Sequence, residues 1–282
     1  MTAIKTVGVI GAGTMGLGIA QVAAMAGYPT ILFDTNPSTV EVAFNTIEKN
    51  LDKGIEKGKV DLELKQKTLR NLTAANELAQ VKADLIIEAI VEKLEVKQQV
   101  FAQLEEANNE HTILATNTSS IPITQIAATL KRPENVIGLH FFNPAHIMKL
   151  VEIISGASTG DRAIERITEF TKKIGKTPVM AADSPGFIVN RVARQYYVEG
   201  LKTLEEKVAS VEGIDRLLEA SGFKMGPFKL MDLIGVDTNF SVTTSMFNAF
   251  HQDAKFRPSR IQQQKVDAGH WGRKTGKGFY EY

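Results

Sequence analysis

The chain enters a short apolar run at Thr6–Ile10, and comparable runs recur at Thr30–Phe33, Asp84–Glu88, Thr112–Ala115, Val136–His140, Val151–Ile154 and Thr177–Ala181. They are rich in β-branched residues and nearly continuous in hydrophobicity, the pattern of strands buried on both faces. Helical periodicity fills several of the gaps, as at Glu95–Asn108 ahead of the Thr112 run. Alternating strand and helix predicts βαβ units and a mostly parallel sheet, an α/β fold. Ser38–Asn71 departs from this: two helical patterns join around Gly54–Lys59 with no strand signal between them, which predicts a helical hairpin inserted into the sheet unit. Beyond the turn cluster Asp183-Ser184-Pro185-Gly186 the strand signal stops. Phe187–Lys207, Ser210–Ser221 and Phe228–Phe250 read as helices, so two domains are expected, 1–185 built on the sheet and an all-α domain over 186–282.

Length and charge fit that division. At 282 residues the chain exceeds the usual single-domain size, and its net charge of +1 argues against a general binder of nucleic acid or membrane surfaces. It contains no cysteine, which excludes disulfides, zinc thiolate sites and thiol nucleophiles; no metal site is expected. The first residues lack a charged leader followed by a long apolar run, and no apolar stretch approaches the ~18 residues of a membrane span. A cytoplasmic protein is the expectation.

The first strand runs into Gly11-Ala12-Gly13-Thr14-Met15-Gly16, a GxGxxG sequence. Alone such a motif is weak, but here a strand precedes it, and an amphipathic helix with Met15, Ile19, Val22, Ala23 and Ala26 on one face follows. A second strand then closes on Asp34. Gly11 permits the tight turn, Gly13 lets backbone approach a pyrophosphate, and Gly16 lets helix pack on sheet. The helix N-terminus offers unpaired N–H groups to phosphate. Asp34 can accept from the adenosine ribose hydroxyls and would repel a 2′-phosphate, which favours NAD over NADP. The alternative is a glycine-rich turn with a solvated aspartate. The motif makes the sheet Rossmann-type.

Among five histidines, His140 stands at the carboxyl end of a strand, where open α/β sheets bind ligands. Glu152 interrupts the next apolar strand and needs a partner or a purpose there. An imidazole that takes the hydroxyl proton while hydride leaves carbon, steadied by a carboxylate on its other nitrogen, is what alcohol oxidation requires. From the residues alone, a structural histidine and a strand-edge glutamate are the commoner reading.

The segment His140-Phe141-Phe142-Asn143-Pro144, followed by Met148-Lys149-Leu150-Val151-Glu152-Ile153, resembles the signature of the L-3-hydroxyacyl-CoA dehydrogenases, and most nearly the bacterial 3-hydroxybutyryl-CoA dehydrogenases. The resemblance spans the chain. It takes in Glu88-Ala89-Ile90-Val91-Glu92, Ala115-Thr116-Asn117-Thr118-Ser119-Ser120, Pro185-Gly186-Phe187-Ile188-Val189-Asn190-Arg191, Met225-Gly226-Pro227-Phe228 and Gly272–Tyr280. It implies NAD-dependent interconversion of 3-hydroxyacyl- and 3-ketoacyl-CoA, with His140 as base, Glu152 orienting it, and Ser119 and Asn190 on the substrate oxygen. It also implies that Asn143 lies beside the nicotinamide and that Glu92, Lys97 and Lys274 contact the cofactor. Read without it, Ser119 is an N-cap before Pro122 and Asn190 an exposed helix residue. His146 falls where relatives usually carry a small apolar residue or proline, and is expected to be a bystander.

The hairpin carries Lys49, Lys53 and Lys57 at helical spacing on one face. They could hold phosphates or simply be solvated. The resemblance implies that this helix, through Asn50, Lys53 and Lys57, contacts coenzyme A. It also implies a substrate cleft closed by the all-α domain, which forms a homodimer. The rivals are a dehydrogenase of a free hydroxy acid, like the gulonate dehydrogenase relatives of lambda-crystallin (which carry Pro-Val in place of Phe141-Phe142), and a non-catalytic protein retaining the fold.

Overall fold

Eight strands form one sheet in a computed structural model of the chain, which describes residues 3–282. They are β1 (Val7–Ile10), β2 (Thr30–Phe33), β3 (Leu72–Ala74), β4 (Leu85–Glu88), β5 (Ile113–Thr116), β6 (Val136–Phe141), β7 (Leu150–Ser155) and β8 (Thr177–Ala182). Their order is β3-β2-β1-β4-β5-β6-β7-β8. All neighbours pair in parallel except β6 and β7, which are antiparallel, so β7 and β8 run against the other six. The mostly parallel Rossmann-type sheet is therefore present. Chain order reverses between β1 and β4, the switch point at which such sheets open a crevice beyond their strand ends. The inner strands β1, β4, β5 and β6 are buried along their whole length, as their unbroken hydrophobicity requires.

Helices α1 (Thr14–Met25), α4 (Leu94–Ala107), α5 (Ile123–Ala127) and α6 (Asp161–Lys173) accompany this sheet. The hairpin forms as expected from α2 (Pro37–Glu56) and α3 (Leu62–Arg70). Asn36 caps α2 by accepting from Ser38 N, with Pro37 ready-shaped for the first turn, and Asp61 caps α3 by accepting from Leu64 N. Val40, Ala43, Ile47 and Leu51 bury one stripe of α2 within the main core. The short β3 that follows gave no strand signal, since three residues are too few to show a period.

By packing, the chain divides into two compact units, Met1–Ser184 and Pro185–Tyr282. The second is helical: α7 (Val189–Glu205), α8 (Val211–Ala220), α9 (Pro227–Ile234), α10 (Val236–Ala249) and α11 (Arg260–Asp267). The single helix expected over Phe228–Phe250 is in fact two. Gly235 breaks it with φ of +106°, a conformation that L side chains avoid. Its own small core gathers Tyr197, Leu201, Ile214, Phe228 and Met231. Two buried aspartates organise the unit. Asp215 accepts from Phe228 N and Lys229 N at the start of α9, and Asp232 accepts from Phe279 N, Tyr280 N and Tyr282 Oη, pinning the C-terminal tail.

Candidate active site

The glycine loop leaves β1 at Gly11, whose φ of +95° no other residue would adopt comfortably. Gly13 is the N-cap of α1, and no side chain caps that terminus, so its amide groups face outward for an anion. A Cβ on Gly13 would meet nothing within 4 Å, which is the open approach a pyrophosphate needs. A cavity of about 580 Å³ adjoins the loop, lined by Gly11, Gly13, Asp34 and Thr35 on one side and by Ala89, Val96 and Gln99 on the other. Asp34 is held rigidly, its Oδ2 accepting from Ala12 N at 2.8 Å and its Oδ1 from Asn36 N at 3.0 Å. Loop, helix terminus and carboxylate together suit the adenosine and pyrophosphate of NAD.

His140 and Glu152 are directly opposed residues of the antiparallel pair β6–β7, so their side chains leave the same face of the sheet. Nδ1 of His140 lies 2.7 Å from Oε2 of Glu152, with the carboxylate 1% and the imidazole 8% exposed. A carboxylate only accepts, so Nδ1 of His140 is the donor of this pair. Phe142 packs its ring 4.5 Å from the imidazole, and Phe141 N donates to Asn117 Oδ1, tying the end of β6 to the loop after β5.

That loop carries Ser119, and Glu92 organises it. Glu92 Oε1 accepts from Thr118 Oγ1 at 2.5 Å, from Ser119 N at 3.0 Å, and from the backbone and hydroxyl of Ser120. Oε2 lies 3.1 Å from Lys97 Nζ. Burial works to raise the Glu92 pKa, but Lys97 and these hydrogen bonds outweigh it and leave the carboxyl below the usual glutamate range. Lys97 is 1% exposed and also donates to Glu88 Oε1 at 2.7 Å. The expected cofactor contacts Glu92 and Lys97 thus belong to a Glu88–Lys97–Glu92 chain, buried at Glu88 and Lys97 and reaching the surface at Glu92, that ends on the Ser119 backbone. Glu88 is a site residue beyond those expected from sequence, and its one signal there is a carboxylate closing the apolar run Leu85–Ile87. Ser119 is not an N-cap. The α5 terminus is capped instead by Asp183, which accepts from Ile123 N and Thr124 N.

The remaining expected residues divide between the units. Asn143 is exposed in the loop between β6 and β7. His146 is half-buried in the same loop, its pKa lowered by desolvation and by the charge of Lys176. Asn50 donates to Gln21 Oε1 of α1 at 3.1 Å, while Lys53 is exposed on α2 and Lys57 exposed at its C-cap. The hairpin's ion pairs run from Lys65 to Glu48 and Asp52 and do not draw on that lysine stripe. Asn190 lies in the first turn of α7, and Lys274 places Nζ 2.7 Å from the Asp237 carboxylate, both within the second unit. No helix among the described residues is long and apolar enough to cross a membrane.

Comparison with known proteins extends this. A relative from Escherichia coli K12 named 3-hydroxyadipyl-CoA dehydrogenase is 49% identical across 100% of this chain, and the chain spans 60% of that relative's length. A 3-hydroxybutyryl-CoA dehydrogenase of Bradyrhizobium diazoefficiens is 43% identical over 99% of this chain and 96% of its own. Among solved structures, an E. coli 3-hydroxybutyryl-CoA dehydrogenase superposes with a TM-score of 0.97 at 49% identity, covering 99% of this chain and 60% of that one. The (S)-3-hydroxybutyryl-CoA dehydrogenase of Ralstonia eutropha gives 0.95 at 38% identity, with 99% of both chains covered. Residues 6–184 match the NAD binding domain of 3-hydroxyacyl-CoA dehydrogenase and residues 186–282 its C-terminal domain. The chain belongs to the 3-hydroxyacyl-CoA dehydrogenase family.

Proposed function

We propose that this chain oxidises a short (S)-3-hydroxyacyl-CoA, chiefly 3-hydroxybutyryl-CoA, to the 3-ketoacyl-CoA and catalyses the reverse reduction. The observation that carries the reading is the 2.7 Å contact of His140 Nδ1 with Glu152 Oε2. NAD, when bound, supplies the acceptor for the hydride of C3. His140 takes the hydroxyl proton on Nε2, and Glu152 stabilises the imidazolium that forms. Ser119 donates its hydroxyl to the substrate oxygen, in the loop that Glu92 braces through Ser119 N. Asn190 is the second donor to that oxygen by family resemblance.

The domain roles follow the same reading. Residues 1–185 hold NAD, with Gly11–Gly16 on the pyrophosphate, Asp34 on the ribose, Asn143 beside the nicotinamide, and Glu92 and Lys97 as further contacts; Lys274, from the second unit, is a cofactor contact by family resemblance. Asn50, Lys53 and Lys57 receive coenzyme A. Residues 186–282 complete the substrate site and form a homodimer.

Following NADH absorbance with acetoacetyl-CoA tests the reading. Consumption that His140→Ala abolishes is the expected result. Turnover confined to free hydroxy acids, or none with either substrate, would overturn it.

A further inference from the structure

Lys176 lies between α6 and β8, in a position that no part of the proposed mechanism uses. Its backbone N–H donates to Thr171 O, and its side chain crosses the start of β7 to the loop of residues 142–149. There Nζ donates to Ala145 O at 2.6 Å and to Met148 O at 2.7 Å. The residue is 9% exposed. Burial holds its pKa below the usual lysine range. An ammonium removed from water without a carboxylate is expensive unless its donors are used, so a buried lysine on two carbonyls marks a place where their position matters.

The two carbonyls belong to a single turn. Ile147 N and Met148 N both donate to Pro144 O, coiling residues 144–148, and Lys176 binds the turn's own carbonyls as a cation binds a helix C-terminus. Ala145 is buried against α1, where a Cβ on Gly18 would meet Ala145 Cβ at 3.0 Å. The turn is thus held from one side by the helix behind the glycine loop and from the other by Lys176. Asn143 stands immediately before it, and His140 and Glu152 stand on the two strands it joins.

We propose that Lys176 is a positioning residue, fixing the 142–149 loop so that Asn143 meets the nicotinamide half of NAD. This rests on the function proposed above for Asn143 and His140. Lys176 touches neither cofactor nor substrate and acts through the Ala145 and Met148 carbonyls.

Lys176→Met keeps the apolar stem and removes the donors. In the cofactor-free protein, amide hydrogen exchange of residues 142–149 should quicken about tenfold while β5 and β6 are unchanged. The Kd for NADH, read from its own fluorescence, should rise about tenfold, with KM for NADH rising more than kcat falls. Lys176→Arg, which restores a cationic donor, should recover much of both. An unchanged NADH Kd in folded Lys176→Met overturns the proposal, whatever the exchange rates. Should that variant fail to fold, the unaltered protein decides: protection of 142–149 close to that of β6 supports the clamp, and open-loop exchange overturns it. Exchange and NADH binding need no acyl-CoA. A parent inactive on acetoacetyl-CoA therefore sinks the reading of function, whereas an active parent with an indifferent Lys176→Met sinks the lysine alone.

Discussion

Gly16 stacks against the carbonyl oxygen of Gly11 with no room for a side chain: a Cβ there would lie 1.7 Å from that oxygen. Gly13, between them in sequence, faces open space and has extended backbone angles that any residue can adopt. Two glycines of one motif are therefore required for different reasons. Gly16→Ala should destabilise the fold by about 3 kcal/mol or more through overpacking of α1 on the strand end. Gly13→Ala should unfold at the same urea concentration as the parent and bind NADH about tenfold more weakly. Urea midpoints and NADH titrations on both variants check the contrast.

His140→Ala should lower kcat for acetoacetyl-CoA reduction about 10³-fold with the fold intact, the range that general acid–base groups contribute. Glu152→Gln should cost about 10²-fold or more, because the amide no longer stabilises an imidazolium on Nδ1. Steady-state rates with circular dichroism of both variants provide the test; a Glu152→Gln enzyme at full rate would remove the carboxylate from the mechanism.

Glu92 predicts a dependence on acidity. Its folded pKa lies below the ordinary 4.5, so the ionised carboxylate adds stability in full above that value and loses it as pH falls through the depressed one. Glu92→Gln should therefore lower Tm more at pH 7 than near pH 3, and the thermal profiles of the two proteins should converge on acidification.

The lysine stripe of α2 can be separated from the catalytic pair by substrate truncation. Lys53→Glu combined with Lys57→Glu should raise KM for acetoacetyl-CoA several-fold, about 1 kcal/mol, at low salt. The same variant should leave KM unchanged for an acetoacetyl-pantetheine thioester, which lacks the nucleotide phosphates. Equal effects on both thioesters would place the phosphates elsewhere.

Asp232 holds the C-terminal tail with three donors on one buried carboxylate. Asp232→Ala should cost about 3 kcal/mol by leaving Phe279 N and Tyr280 N without their acceptor. Limited proteolysis should then trim the tail, and the urea transition should shift to lower concentration.

The sheet, the hairpin and the glycine loop were legible in the sequence because each has a local signature: period, capping residue or fixed spacing. Glu152 announced itself as a charge inside Leu150–Ile154. The antiparallel step between β6 and β7 had no such signature, since pairing direction is decided by partners distant in sequence. Gly235 gives no sign of a helix break in the sequence, because a lone glycine within a helical pattern is ordinarily tolerated. Lys97 reads as a surface lysine on α4, and only the fold places it between Glu88 and Glu92. Lys176 carries no signal at all, because its acceptors are backbone carbonyls 31 and 28 residues away.

The reversal of strand direction after β6 also bears on how such a protein can diversify. Partnership between His140 and Glu152 is written into sheet register, so changes in the segment joining them do not by themselves part imidazole from carboxylate. A one-residue slip of β7 would instead present Val151 or Ile153 to the imidazole and end the chemistry outright. Change in the bend thus bears on cofactor contact, whereas a shift in the rungs beneath it separates the pair itself.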